Sequence, residues 1–476
     1  MMNCNEPGKV RKLTSGRQLL LLAITSVAMV SNTMAGDSLP LFNDGNSPPF
    51  LPTAVTFQEP DTQVAPASVD PLDARFLALE EELRHLKLAL SEKPKAASSM
   101  APAAPVYPSV KVTGFFQADS AWFRQDAAST ATVGDVQDDR GFRRARIAAI
   151  GKVADNVSYQ LEMDFAFNGR PSFMDVWLDI SKVPVFGNVR IGQWRQPFGL
   201  DELTSVKELT FLERPLMFGM APFRQFGIGF HDSTADENAT WAASIFGSGT
   251  DAFGNSIGDR GYGGAARVTR VLLEDTCNDF LVHIGGGYSF VANPDSNIRY
   301  RNVPEFGGPV NEPGSVPFFV DTLPIPAENA NLFNAELAGT WGPLHAQSEL
   351  RYSLVNTDSG NNATFPSYYA QMGWIMTGEH RPYNKTSAAL GRIKPAHPVG
   401  TSCGFGAWEV AVRYSWIDLN DGLITGGELT NMTYGLNWYL NNYTKMQFNY
   451  IKADLNRAPV GSSDTDIFAV RAQLEF

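Results

Sequence analysis

The sequence predicts an all-β transmembrane barrel of about 16 antiparallel strands, preceded by a short N-terminal coiled-coil helix, and three observations carry that reading. From Val110 onward, apolar and polar residues alternate in segments of about 10–14 residues, longer than the five or six usual for globular strands. Trp and Tyr gather near the ends of the apolar faces, where a membrane interface favours amphipathic rings. The chain closes on Phe468, Val470, Ala472, Leu474 and Phe476, alternating with Arg471, Gln473 and Glu475. A soluble sandwich also alternates. Segment length, ring placement and the Glu, Arg and Asn of the opposite faces separate the two cases.

The elements follow in chain order. Leu19–Val30 is apolar but short for a bilayer, follows Lys9, Arg11, Lys12 and Arg17, and leads into small residues ending near Ala35. Residues 1–35 are therefore expected to be a signal peptide cleaved near Ala35, the alternative being an uncleaved anchor. Cys4 precedes the apolar run and so cannot serve as a lipidation cysteine after it. Removing the leader takes four bases from 38 and one acid from 50, leaving a net charge of −15. With no basic excess to displace counterions, nucleic acid is not expected as a partner. Cys277 and Cys403 remain; a disulfide is conceivable in an oxidising compartment, but spacing alone does not pair them, and both are taken as structural.

Residues 36–71 hold seven prolines and suit an extended linker. In residues 72–93, Leu72, Phe76, Leu79, Leu83, Leu86 and Leu90 are spaced 4, 3, 4, 3, 4, a narrow seam that predicts a short coiled coil. Under three heptads are marginal alone, so the seam would assist an oligomer held elsewhere; the alternative is a lone amphipathic helix. Residues 94–109 form a second, Pro/Ala-rich linker.

Residues 110–476 form the barrel. Leu344, Ala346, Leu350, Tyr352 and Leu354 alternate with His345, Gln347, Glu349, Arg351 and Ser353. Trp408, Val410, Val412, Tyr414 and Trp416 alternate with Glu409, Ala411, Arg413 and Ser415. Sixteen such segments are expected to start near residues 110, 140, 156, 173, 188, 225, 239, 261, 280, 332, 344, 366, 405, 429, 443 and 465. Tight turns fall at Asp155–Asn156, Gly342–Pro343 and Asn441–Asn442; long loops fall at 124–139, 248–260, 291–331 and 456–464. A closed barrel leaves no unpaired edge in lipid, so an even count with this rhythm fits short periplasmic turns and longer outer loops. Residues 379–404 break the rhythm, a long segment where a short turn is due.

The stretches RRARIAAIG (143–151), GQWRQPFGL (192–200), LTFLERPL (209–216), TGEHRPY (377–383), GAWEVAVRYS (406–415) and YGLNWYLNN (434–442), in this order and spacing, resemble the phosphate-selective porin O and P family. The resemblance implies a homotrimer of sixteen-stranded outer-membrane barrels, each with its own pore. It implies a loop after the fifth strand, here 198–224, that folds inward to narrow the channel, and it accounts for 379–404 as a periplasmic turn entering the pore. The central pair of arginines in the family's phosphate channels matches Arg143 and Arg144, and a serine of the inward loop matches Ser205. Four positions depart: Phe115 and Ser158 stand where the pattern has arginine and lysine, Glu202 where it has lysine, and Met174 where it has aspartate. Three lost cations and one gained carboxylate amount to about four charges, offset by one where Met174 replaces aspartate, at roughly 1–4 kcal/mol for each close pair. The resemblance carries over the architecture, whereas these departures argue against strong phosphate preference.

An anion pore replaces hydration with fixed donors while binding weakly enough to release, and the planar donor fork of arginine suits phosphate or carboxylate. Period two places Arg144 and Arg146 on one face; Arg143 then lies at the rim or needs a bulge. Arg381, Lys385, Arg392 and Lys394 oppose Glu379 in the 379–404 turn, a local +3, and Arg195, Lys207 and Arg214 flank the inward loop. The alternative for all of these is ordinary solvated charge. A water-filled diffusion channel for small ions and solutes follows, with small anions as permeants and no cofactor. Its alternatives are a general porin anchored to the cell wall through residues 36–109 and, distantly, a barrel enzyme. The histidines His85, His231, His283, His345, His380 and His397 are scattered, and His345 near Glu349 is the nearest thing to a dyad.

Overall fold

The computed structural model describes residues 80–85, 87, 106–166, 169–250, 253, 261–292, 297–307 and 316–476. The expected leader, the first linker, residues 94–105 of the second linker and most of the heptad seam lie outside the described residues. Within the seam, residues 80–85 and 87 are helical and exposed.

Sixteen long strands are present among the described residues. The first eight are β1 (Ser109–Gln125), β2 (Asp139–Ala154), β3 (Val157–Asp164), β4 (Ser172–Val183), β5 (Gly187–Arg195), β6 (Arg224–Ser233), β7 (Ala239–Gly247) and β8 (Tyr262–Asp275). The second eight are β9 (Phe280–Ala292), β10 (Ile325–Trp341), β11 (Leu344–Thr357), β12 (Ala363–Ile375), β13 (Ala407–Asp421), β14 (Ile424–Tyr439), β15 (Thr444–Arg457) and β16 (Gly461–Glu475). Each pairs antiparallel with the next, and β16 returns to β1 with Phe115 opposite Glu475 and Gln125 opposite Thr465. The sheet is closed, so its backbone groups are satisfied without an edge in lipid. The last residue completes the seam: Phe476 and Gly114 exchange two backbone hydrogen bonds of 3.0 Å.

In the body of the barrel the alternation is as expected. Along β11, Leu350, Tyr352 and Leu354 face outward while His345, Gln347, Glu349 and Arg351 are buried inside. Trp341, Trp374 and the stacked pair Trp408–Trp438 sit at the strand ends nearest the short turns. At the other end the pattern inverts. Ile451, Ala453, Leu455, Ile467 and Ala469 point inward into an apolar core with Phe198, Leu212, Leu216, Phe306 and Phe319. Their outward neighbours include Asp454, Asp464 and Asp466.

That inversion corrects one expectation. Residues 456–464 are not a long loop: β15 and β16 continue to a three-residue turn at 458–460. Strands β10 and β14 likewise start at Ile325 and Ile424, earlier than the expected 332 and 429. Above the bilayer the outer face meets water and needs no apolar side chains, so the apolar-out pattern ends before the strand does.

Two segments enter the barrel. The connection 196–223, between β5 and β6, carries the short helix α1 (Leu200–Leu203) and crosses the lumen to the far wall. The connection 376–406, between β12 and β13, enters from the short-turn end. Gly287 shows how closely the first approaches: a Cβ there would lie 2.0 Å from the Phe198 carbonyl oxygen. Of the third connection, 293–324, residues 297–307 and 316–324 are described; they pack into the apolar core at the outer end, where Asn302 Nδ2 donates to the Leu216 carbonyl at 2.5 Å.

Candidate functional site: an arginine-lined passage

The inward loop has few backbone partners of its own, and the wall supplies them. Glu349 accepts from the N–H groups of Leu200 and Asp201 at 2.8 and 2.9 Å. Farther along, the Leu209 carbonyl accepts from Lys445, that of Thr210 from Asn437, that of Glu213 from Arg413, and that of Met217 from Arg351. Unpaired, each buried group would cost about 1–3 kcal/mol. Much of the polar inner face of β11–β15 therefore holds the loop rather than facing water. His345, the residue closest to suggesting a dyad, is buried with Glu409 at 2.5 Å, and Glu349 caps α1.

With that half filled, open space runs along β1–β7. Near the outer end a cavity of about 470 Å³ is bordered by Arg143, Arg144, Arg146, Arg214 and Arg224, with Glu213 and Glu305. Below it a cavity of about 270 Å³ shares Arg146, Val206 and Arg224, and adds Arg195, Ser205 and Lys207, with Glu162 and Asp175. A third cavity, about 440 Å³, shares Asp175 and Arg195 with the second and reaches Asn188, His231 and Asn384 near the short-turn end. The three adjoin in series.

The arginine pair has a specific origin. Gln117 of β1 faces Arg144 and the next residue, Ala118, faces Phe142, so Arg143 is an extra residue in β2. This bulge lets consecutive arginines reach one carboxylate, as bulges commonly re-aim side chains. Arg143 lies 3.1 Å and Arg144 2.8 Å from Glu213, and Arg471 meets it at 2.7 Å. Burial would raise the Glu213 carboxyl, but Arg143, Arg144 and Arg471 override it and hold it well below the usual range. Arg146 pairs with Asp164 at 2.8 Å, and Arg224 with Asp175 at 2.9 Å. Arg195 donates to the carbonyls of Glu202 and Thr204, and Arg214 to those of Asp201, Glu202 and Thr204.

Seven of the expected residues border these cavities: Arg143, Arg144, Arg146, Arg195, Ser205, Lys207 and Arg214. The four from the long periplasmic turn do not. Arg381 is buried, donating to Thr210 and to the Glu208 carbonyl. Lys385 pairs with Glu274 at 2.7 Å, Arg392 bridges Glu208 and Glu475, and Lys394 is exposed. Glu202 is also placed differently from expectation. Only 2% exposed, it accepts from the Phe223 N–H at 2.9 Å and lies 3.8 Å from Arg351, away from the cavities. It therefore adds no carboxylate to the passage. Arg224 is the residue that sequence reasoning missed. It opens β6 where the inward loop rejoins the wall, directly opposite Arg195; an arginine at the end of an inward loop was the available signal.

A closed antiparallel barrel, apolar toward lipid and narrowed from within by an inward loop beside a charged passage, defines an outer-membrane channel of the porin class. The family model for "Phosphate-selective porin O and P" matches residues 110–476, and the chain belongs to that family. It is 27% identical over 401 residues to Porin O of Pseudomonas aeruginosa, covering 77% of this chain and 88% of that protein. It is 26% identical over 357 residues to an uncharacterized protein of Caulobacter vibrioides, covering 70% and 68%. Among solved structures it is similar to the anion-selective porin from Comamonas acidovorans, with a TM-score of 0.44, 12% identity and coverage of 77% and 99%. Family and fold together make the protein an outer-membrane diffusion channel rather than an enzyme.

Proposed function

We propose that the channel passes small anions in preference to cations, without strong selection for inorganic phosphate. The carrying observation is the charge bordering the two upper cavities: seven cations (Arg143, Arg144, Arg146, Arg195, Lys207, Arg214 and Arg224) against four carboxylates (Glu162, Asp175, Glu213 and Glu305), a surplus of three. This local excess stands inside a chain of net charge −12. Several cations are already paired, so a passing anion is held weakly enough to leave. Phe115 and Met174 border the same cavities and supply no charge for phosphate.

Membership of the family supports a homotrimer in outer-membrane lipid, each barrel with its own pore. Residues 36–109 are proposed as a stalk, with the heptad seam assisting the trimer and a contact to the cell wall. The test of the channel reading is the reversal potential of the purified protein in a planar bilayer under a chloride gradient, repeated with phosphate. Anion preference with similar chloride and phosphate permeability is expected; cation preference would overturn the reading. Deleting 36–109 and following envelope attachment tests the stalk.

A further inference from the structure

The cations along the passage carry aromatic rings. Arg146 lies 5.6 Å and Lys207 5.9 Å from the centre of the Phe115 ring, at the middle cavity. In the upper cavity Arg224 is 4.9 Å from Phe223 and Arg214 is 5.2 Å from Phe218. In the lower cavity Arg190 lies 4.2 Å from the Trp177 ring. Met174 and Val206 add apolar surface between these pairs. The pattern thus recurs at three successive levels. A bare inorganic anion gains nothing from rings and thioethers, and apolar surface in its path removes water without replacing it. A solute with a charged head and a flat apolar body uses both halves of each pair. Its head takes the guanidinium donors, and its body lies against the ring or the guanidinium plane. Each of the two larger cavities is of the size that small organic ligands occupy.

We infer that the passage favours organic anions in which a phosphate or carboxylate is attached to a flat apolar ring, over inorganic phosphate and over small aliphatic esters. This rests on the anion-channel reading above and names its solute class.

The test uses the full-length protein in a planar bilayer carrying chloride current. Phenyl phosphate, methyl phosphate and inorganic phosphate are titrated from the same side at one pH, so that head-group charge is matched between the two esters. Phenyl phosphate is expected to half-block at a concentration about tenfold lower than methyl phosphate. Trp177→Ser is expected to shrink that gap at least threefold. The wild-type comparison stands alone should the variant fail to assemble. Equal block by the two esters, or no block by either, in a channel that remains anion-preferring would overturn this inference and leave the anion reading intact. A cation-preferring reversal potential would instead remove that reading.

Discussion

Glu213 concentrates the electrostatics of the passage in one carboxylate shared by Arg143, Arg144 and Arg471. Glu213→Gln releases positive charge into the upper cavity. The reversal potential in a salt gradient should move further toward anion preference, while thermal stability in detergent falls by about 3 kcal/mol, because buried cations lose their partner. Glu202 carries a different consequence. Burial pushes its carboxyl up to about 7, opposed by Arg351, and Asp201 beside it is raised by burial to about 6, opposed by Arg214. A carboxyl raised in the folded state favours folding most below its unfolded value, and that contribution is lost as pH rises to the folded value. The melting temperature should therefore decline from about pH 4.5 to pH 7, and Glu202→Gln should flatten the decline, gaining on the order of 2 kcal/mol at pH 7.5. At this scale the sequence was legible where periodicity governs and silent elsewhere. Period two set Arg144 and Arg146 on one face, and both border the upper cavity. It could not orient Glu202, because a loop that borrows its hydrogen bonds from the opposite wall has no repeat to read.

The bulge in β2 is separable from the strand that carries it. Since Gln117 already faces Arg144 and Ala118 already faces Phe142, deleting Arg143 restores plain alternation and leaves every other pairing in place. The deletion should assemble normally, cost about 1 kcal/mol and reduce anion preference; a barrel that failed to form would show the extra residue to be structural. The periplasmic insertion is held by Arg381, which donates to Thr210, the Glu208 carbonyl and the Gly391 carbonyl. Arg381→Ala should leave these groups short of donors, at about 1–3 kcal/mol for each one buried, and should appear as noisier single-channel current. Thirteen of the sixteen strand starts were legible because lipid imposes a period wherever it touches the wall. The misplaced ones, at Ile325, Ile424 and Gly461, lie where the wall rises out of lipid and encloses an apolar core instead. The long-turn cations were read as lumenal charge because their number was visible, whereas the partners of Lys385 (Glu274) and Arg392 (Glu208 and Glu475) were far away in sequence.

Across the whole molecule, the net charge of the chain and the charge bordering the upper cavities have opposite signs. The chain is net negative, whereas the cavity surplus is positive and enclosed by the wall. Exposed charge is screened over about 8 Å at physiological salt and about 3 Å at 1 M, and enclosed pairs much less. Anion preference measured as a permeability ratio should therefore persist, reduced by no more than about half, between 0.1 and 1 M salt. Collapse to unity would place its origin on the exposed surface. Over β11–β16 the outer connections are short, at 358–362, 422–423 and 458–460. Leu423 stands fully exposed at the tip of its two-residue turn. A foreign peptide grafted there would project from a hairpin tip beyond the last paired residues, Asp421 and Ile424, so the barrel offers a handle for cargo outside the cavities that line its interior.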